Sequence, residues 1–202
     1  CKNMAVQTLI EAVREAMREE MRRDTKVFVM GEDVGKRGGV FLSTQGFIEE
    51  FGESRVIDTP LAEASIMGIA LGAALTGLPP IVAIGTGSFS YEAFAQIANE
   101  APQAYYGTRG QVTCPIVFHM RTGIRGAGAL QHSQSPQSLY WNTPGLDIQT
   151  VIEHFLDAAN PMRRMSKNTM ARRSSAIFNS IENPEMFYGG MVTSLVLYHQ
   201  RI

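Results

Sequence analysis

Apolar residues recur at helical spacing from Ala5 to Arg23, with Val6, Leu9, Ile10, Val13, Met17 and Met21 on one side and Glu11, Arg14, Arg18 and Glu19 on the other. That period predicts an amphipathic helix. The short apolar run Val27–Met30 then meets Gly31-Glu32-Asp33-Val34-Gly35 and Gly38-Gly39, the pattern of a buried strand opening into a glycine-rich loop. Thr44 is placed to cap a short helix reaching Phe51, and Arg55-Val56-Ile57 reads as a strand ending at Asp58-Thr59-Pro60, with the proline set for a first helical turn. The helix that follows, Leu61 to Gly77, is built from alanines, glycines and aliphatics, and Glu63 is its only charge. A helix apolar all round is expected to be buried. Pro80–Ile84 repeats the strand signal, Tyr91–Tyr106 the helical one, and Pro115–His119 gives another strand before the glycine-rich stretch Gly123–Gly128.

Strand and helix thus alternate with short connections, which predicts an α/β fold with a mostly parallel sheet and helices on both faces. Ligands of such sheets collect beyond the carboxyl ends of the strands, where the glycine-rich loops fall. The last quarter reads less regularly. Val151–Ala159 is compatible with a helix, Met162–Ser175 is basic and polar, and Met191–Tyr198 is strand-like.

Composition sharpens this division. Of 202 residues 45 % are hydrophobic and 18 % charged, with net charge −1, the profile of an ordinary globular protein rather than a disordered tail. A near-neutral balance gives no footprint for nucleic acid, and no apolar run is long enough to suggest a membrane span. Residues 1–150 hold seventeen of the nineteen glycines and twelve Lys/Arg against fifteen Asp/Glu, net −3; residues 151–202 hold two glycines and six Lys/Arg against four Asp/Glu, net +2. Cys1 and Cys114 make no framework, so a reducing compartment is expected. Met4 reads as the natural start.

Several chemistries lack their motifs. There is no GxxxxGK[ST], the Gly123 loop runs GxxGxG where a dinucleotide fingerprint needs GxGxxG, and GxSxG and HExxH are missing. Glu63 is the informative residue. A lone carboxylate on a small, apolar helix loses solvation when charged, so it is either an exposed helix charge or a buried carboxyl sharing its proton with a ligand nitrogen. Its place just after a predicted strand end favours the second.

Five ordered segments then carry a resemblance. Gly31-Glu32-Asp33-Val34-Gly35, Gly38-Gly39-Val40-Phe41, Arg55 through Glu63, His132-Ser133-Gln134-Ser135 and Pro144-Gly145-Leu146 are similar, in order and spacing, to the β subunits of thiamine-diphosphate-dependent 2-oxo acid dehydrogenases. The similarity covers residues 4–147, the family's pyrimidine-binding domain, and leaves 148–202 as a divergent segment without the family's C-terminal domain; the chain reads as truncated.

The resemblance implies that Glu63 bonds N1′ of the aminopyrimidine ring, that Phe89 stacks on that ring, that Glu32 lies near the cofactor, and that His132 handles protons as the acyl group moves to a lipoyl arm. An imidazole suits such a transfer. It implies thiamine diphosphate as cofactor, with Mg²⁺ held by a partner α subunit in an α2β2 assembly, a lipoyl-bearing acyltransferase as second partner, and a 2-oxo acid, pyruvate or branched-chain, as substrate, in bacterial cytoplasm or the mitochondrial matrix. An acetoin dehydrogenase β subunit would share every motif, and a catalytically incompetent fragment keeping only the fold and the α contact is the other reading. Three positions depart from the family: Ala83 and Ala95 stand where acids are frequent, and His119 where an arginine is common.

Overall fold

The computed structural model describes residues 8–123, 129–154 and 191–198, with 147–154 and 191–198 described as backbone. Helix α1 (Leu9–Arg23) opens on a capping box: Thr8 Oγ1 accepts from the Glu11 N–H, and the Glu11 carboxylate accepts from Thr8 N–H at 2.7 Å. Its buried side carries Ala12, Met17 and Met21. Strand β1 (Phe28–Gly31), helix α2 (Phe47–Phe51), β2 (Val56–Asp58), α3 (Glu63–Leu75) and β3 (Pro80–Ile84) follow. A 3-10 segment (Gly87–Ala93) and a π-helical turn (Gln96–Glu100) lead into α4 (Ala101–Gly107) and β4 (Val117–Thr122). A 3-10 turn (Leu130–His132), α5 (Gln137–Tyr140), β5 (Asp147–His154) and β6 (Met191–Tyr198) complete the described elements.

The sheet runs β2-β1-β3-β4-β6-β5. Its first four strands are mutually parallel, as expected; β6 pairs antiparallel with β4 and with β5. Alternation along the strands sorts the core into two layers. Met30, Val82, Ile84, Phe118 and Met120 pack with Ile66, Met67 and Ala70 of α3 and with Ile97 and Ala101. Val29, Ile81 and Ala83 pack on the other face with Met17 and Met21 of α1, Phe47 and Val34. Helices therefore cover both faces, and each fully buried aliphatic adds about 1.5–3 kcal/mol.

Arg55 ties the layers at one end. Its guanidinium donates to the carbonyls of Met21 (2.6 Å), Asp24 (2.9 Å) and Val27, at and just beyond the C-terminus of α1, and lies 5.1 Å over the Phe51 ring. The free carbonyls of a helix end are the natural acceptors for such a cation.

Five expectations are corrected. Thr44 does not cap α2: it is fully buried and its hydroxyl donates to Val34 O at 2.7 Å, while Gly46 (φ 82) precedes the helix, and Pro60 lies outside α3 altogether. The single helix expected at Tyr91–Tyr106 is a 3-10, π and α succession, with Pro102, which has no N–H to donate, in the first turn of α4. Helix α3 is buried on one side only. Ile66, Met67, Ala70 and Ala74 face the sheet, whereas Ile69 is 62 % and Leu75 41 % exposed, since uniform apolarity names no direction and the sheet lies on one side. Finally, residues 151–154 are strand, paired with β6, rather than the start of a helix; Ile148, Thr150, Val151 and Ile152 are β-branched and suit it. Residues 155–159, Met162–Ser175 and the loop 124–128 lie outside the described residues.

Candidate active site

Every residue singled out for chemistry lies at or just beyond the carboxyl end of a parallel strand or on the turns attached there. The backbone makes this edge possible. Gly31 closes β1 at φ 149, and a Cβ there would stand 1.9 Å from the carbonyl oxygen of Ala83 on β3. That same carbonyl accepts the N–H of Glu32 at 3.2 Å.

Glu32 and Asp33, indistinguishable as an acidic pair in sequence, are split by the fold. Asp33 takes a left-handed backbone (φ 57) and turns outward to pair with Arg37 at 3.0 Å. Glu32 turns inward and is 6 % exposed. Its Oε2 accepts the backbone N–H of Gly85, just past β3, at 3.0 Å, and its Oε1 is sealed without a hydrogen-bond partner of ordinary geometry. A Cβ at Gly85 would approach Oε2 to 2.8 Å, so the glycine leaves the carboxyl its space. Burial pushes the Glu32 carboxyl up to about 7; the Gly85 N–H opposes this, and the facing Glu63 carboxyl, by its charge and by a shared hydrogen bond, reinforces it.

Glu63 is the first residue of α3 and half-buried. Thr59, in the turn from β2, donates its N–H to Gly31 O at 3.0 Å, which brings the start of α3 back over the end of β1 and so over Glu32. Phe89, in the 3-10 segment after β3, packs against the core layer under α3. Its ring meets that of His132 edge-on, with centroids 5.3 Å apart and planes at 66°. The fold thus makes two pairs from the four expected residues, Glu32 with Glu63 and Phe89 with His132.

Other contacts were not anticipated. Gly85 supplies the donor for Glu32, and the Gly85-Thr86-Gly87 run was the available sign of close backbone approach. Arg121, at the end of β4, lies 3.3 Å from the centroid of Phe41 in the loop after β1. His119, on β4, is level in register with Ala83 and Gly31, and is buried and unpartnered at both ring nitrogens; burial, with some help from Arg121, lowers its pKa to about 4. Among the described residues no three His, Cys, Asp or Glu gather as a metal site, and no helix is long and apolar enough to cross a membrane.

Residues 6–170 match the transketolase pyrimidine-binding domain. The chain belongs to that family. Within the pyrimidine-binding family it is 48 % identical over 145 residues to the 2-oxoisovalerate dehydrogenase subunit beta of Bacillus subtilis (strain 168), covering 72 % of this chain and 44 % of the relative. It is 48 % identical over 141 residues to the pyruvate dehydrogenase E1 component subunit beta of Rickettsia felis, covering 70 % of this chain and 43 % of the relative. A mitochondrial pyruvate dehydrogenase E1 subunit beta of Pisum sativum is 37 % identical over 182 residues, covering 90 % of this chain and 48 % of the relative. The chain spans about half the length of these curated relatives.

Proposed function

We propose that this pyrimidine-binding domain supplies the aminopyrimidine end of a thiamine diphosphate site and works, with an α subunit, as part of a 2-oxo acid dehydrogenase acting on pyruvate or a branched-chain 2-oxo acid. The observation that carries the reading is the Glu32–Glu63 carboxyl pair at the carboxyl edge of the sheet. Burial keeps the proton on the sealed Glu32 carboxyl up to about pH 7, and the facing Glu63 carboxyl reinforces this. A proton held there suits a ligand whose ring nitrogen can accept it, and Phe89, in the segment after β3, offers an aromatic face, where offset stacking adds about 0.5–1.5 kcal/mol beyond burial. These residues fit the group.

Thiamine diphosphate, when bound, supplies the carbon nucleophile and the electron sink for decarboxylation. Glu63 would bond N1′ and hold the proton at that atom, with Glu32 facing Glu63, and Phe89 would offer its ring to the pyrimidine. His132 exchanges the proton that acyl transfer to a lipoyl-lysine requires. The α subunit holds Mg²⁺ and the diphosphate. The relatives' names support both the enzyme class and an assembly with a second subunit, and they include bacterial and mitochondrial members, in line with a cytoplasmic or matrix setting.

Glu63→Gln, assembled with its α partner, tests the reading. The amide cannot move a proton to N1′, and turnover is expected to fall at least about a hundredfold with the assembly intact on gel filtration. Near-normal turnover would remove Glu63 from the chemistry.

A further inference from the structure

The 3-10 segment Gly87–Ala93 reaches the stretch 131–140 at four separate points. Ser88, buried, donates its hydroxyl to the carbonyl of Gln131. Phe89 meets the ring of His132 edge-on. Ser90 accepts from Tyr140 Oη at 2.7 Å while its own hydroxyl donates to Gly87 O at 2.5 Å. Tyr91 donates to Gln134 Oε1 at 2.9 Å, and the main chain of the same Gln134 accepts the N–H of Gly123 at the end of β4 at 3.0 Å. The anchored residues are the one before His132 and the one two after it, with His132 itself touched by the ring between.

A 3-10 turn has three residues per turn, so side chains at i and i+3 fall on one side. Ser88 and Tyr91 stand at that spacing, and both point their hydroxyls at the strip carrying His132. The segment is in turn fixed to the sheet, because Gly87 sits so close to β4 that a Cβ would come within 2.6 Å of Thr122 and 3.0 Å of the Arg121 carbonyl.

We infer that Ser88 and Tyr91 are positioning residues for His132, fixing the main chain on its one side and the Gln134 side chain on its other so that the Phe89 edge sets the plane of the imidazole. Both act through the histidine. Phe89 accordingly has a second task besides the pyrimidine. The inference rests on the proposed role of His132 in acyl transfer, a step that a general acid or base serves only within hydrogen-bond reach of its proton.

Two measurements on Ser88→Ala and Tyr91→Phe test it. In the αβ assembly, decarboxylation is followed with an artificial electron acceptor and acyl transfer with the lipoyl domain; in the full chain, the His132 ring protons, displaced by the ring current of Phe89, are followed by NMR with Phe89→Leu as the undisplaced reference. Both variants should lower transfer about five- to tenfold, the scale of one lost hydrogen bond, with decarboxylation within about twofold. Both should move the His132 signals toward the Phe89→Leu position. Tyr91 is exposed and its change deletes one hydroxyl, so this variant decides the matter if Ser88→Ala does not fold. Transfer unchanged in both variants, an equal loss in both partial reactions, or a loss of transfer with the His132 signals unmoved would each overturn the inference. His132→Ala separates the two levels: intact transfer in that variant removes the histidine's own role and this inference with it, whereas blocked transfer there, beside unaffected Ser88 and Tyr91 variants, overturns the positioning alone.

Discussion

Glu32, just beyond the end of β1, and His119, inside β4, are sealed from solvent to nearly the same degree, at 6 % and 5 % exposure. Their surroundings differ completely. Glu32 has a backbone N–H aimed at one oxygen and a second carboxyl facing it. His119 has Ala83 and Val196 as its register neighbours on the adjoining strands and no hydrogen bond at either nitrogen. Burial alone moves both toward their neutral forms, the acid up to about 7 and the base down to about 4. The difference teaches where to look for chemistry. Neighbours that answer a buried ionisable group mark Glu32 as the candidate for chemistry, whereas His119 has none that hydrogen-bond it.

The two groups also pull stability in opposite directions. Native Glu32 keeps a proton between about pH 4.5 and about 7 that the unfolded chain has already released, so stability falls as pH rises through that window. Native His119 refuses a proton between about pH 6.5 and about 4 that the unfolded chain takes up, so stability falls as pH drops through that window.

Substitutions can separate the two. The largest effect is expected from Glu32→Gln in the αβ assembly, where the partner of Glu63 loses its exchangeable proton; turnover should drop about tenfold or more, and the change in urea midpoint from pH 5 to 7 should become more positive than in the unsubstituted chain. Retention of both the rate and the slope would make Glu32 as inert as His119. Gly85→Ala is the intermediate case, since the added carbon crowds Oε2 and displaces it from the N–H. A loss of about 1–3 kcal/mol in chemical denaturation is expected, the cost of a buried acceptor left without its donor. The smallest effect belongs to His119→Leu, which removes two unpartnered nitrogens and should leave turnover unchanged. Its melt at pH 7 should be equal or higher by about 1 kcal/mol, and the acid limb should flatten. A fall in turnover there would mean that the middle of β4 communicates with the edge.

Much of the fold could be read from local pattern. Pro80–Ile84 is strand over the full predicted range, and the four parallel strands and the place of Glu63 follow from short apolar runs broken by glycine. The unreadable part depends on distant partners. Glu32 meets its donor fifty-three residues away, so nothing near it in sequence could separate it from Asp33. Thr44 had the residue type for a cap but is held by Val34 O across a loop. The outward side of α3 escaped notice because glycine, alanine and isoleucine look alike whether a sheet lies beneath them or not.

The missing side chain at Gly31 has a consequence for genetics. Any other residue there drives its Cβ into a main-chain oxygen, that of Ala83, rather than into a side chain that a second mutation could trim. Moving β3 aside would give up the carbonyl that holds the N–H of Glu32. A defect at this codon therefore has no second-site suppressor among the neighbouring residues, and reversion to glycine is its natural cure.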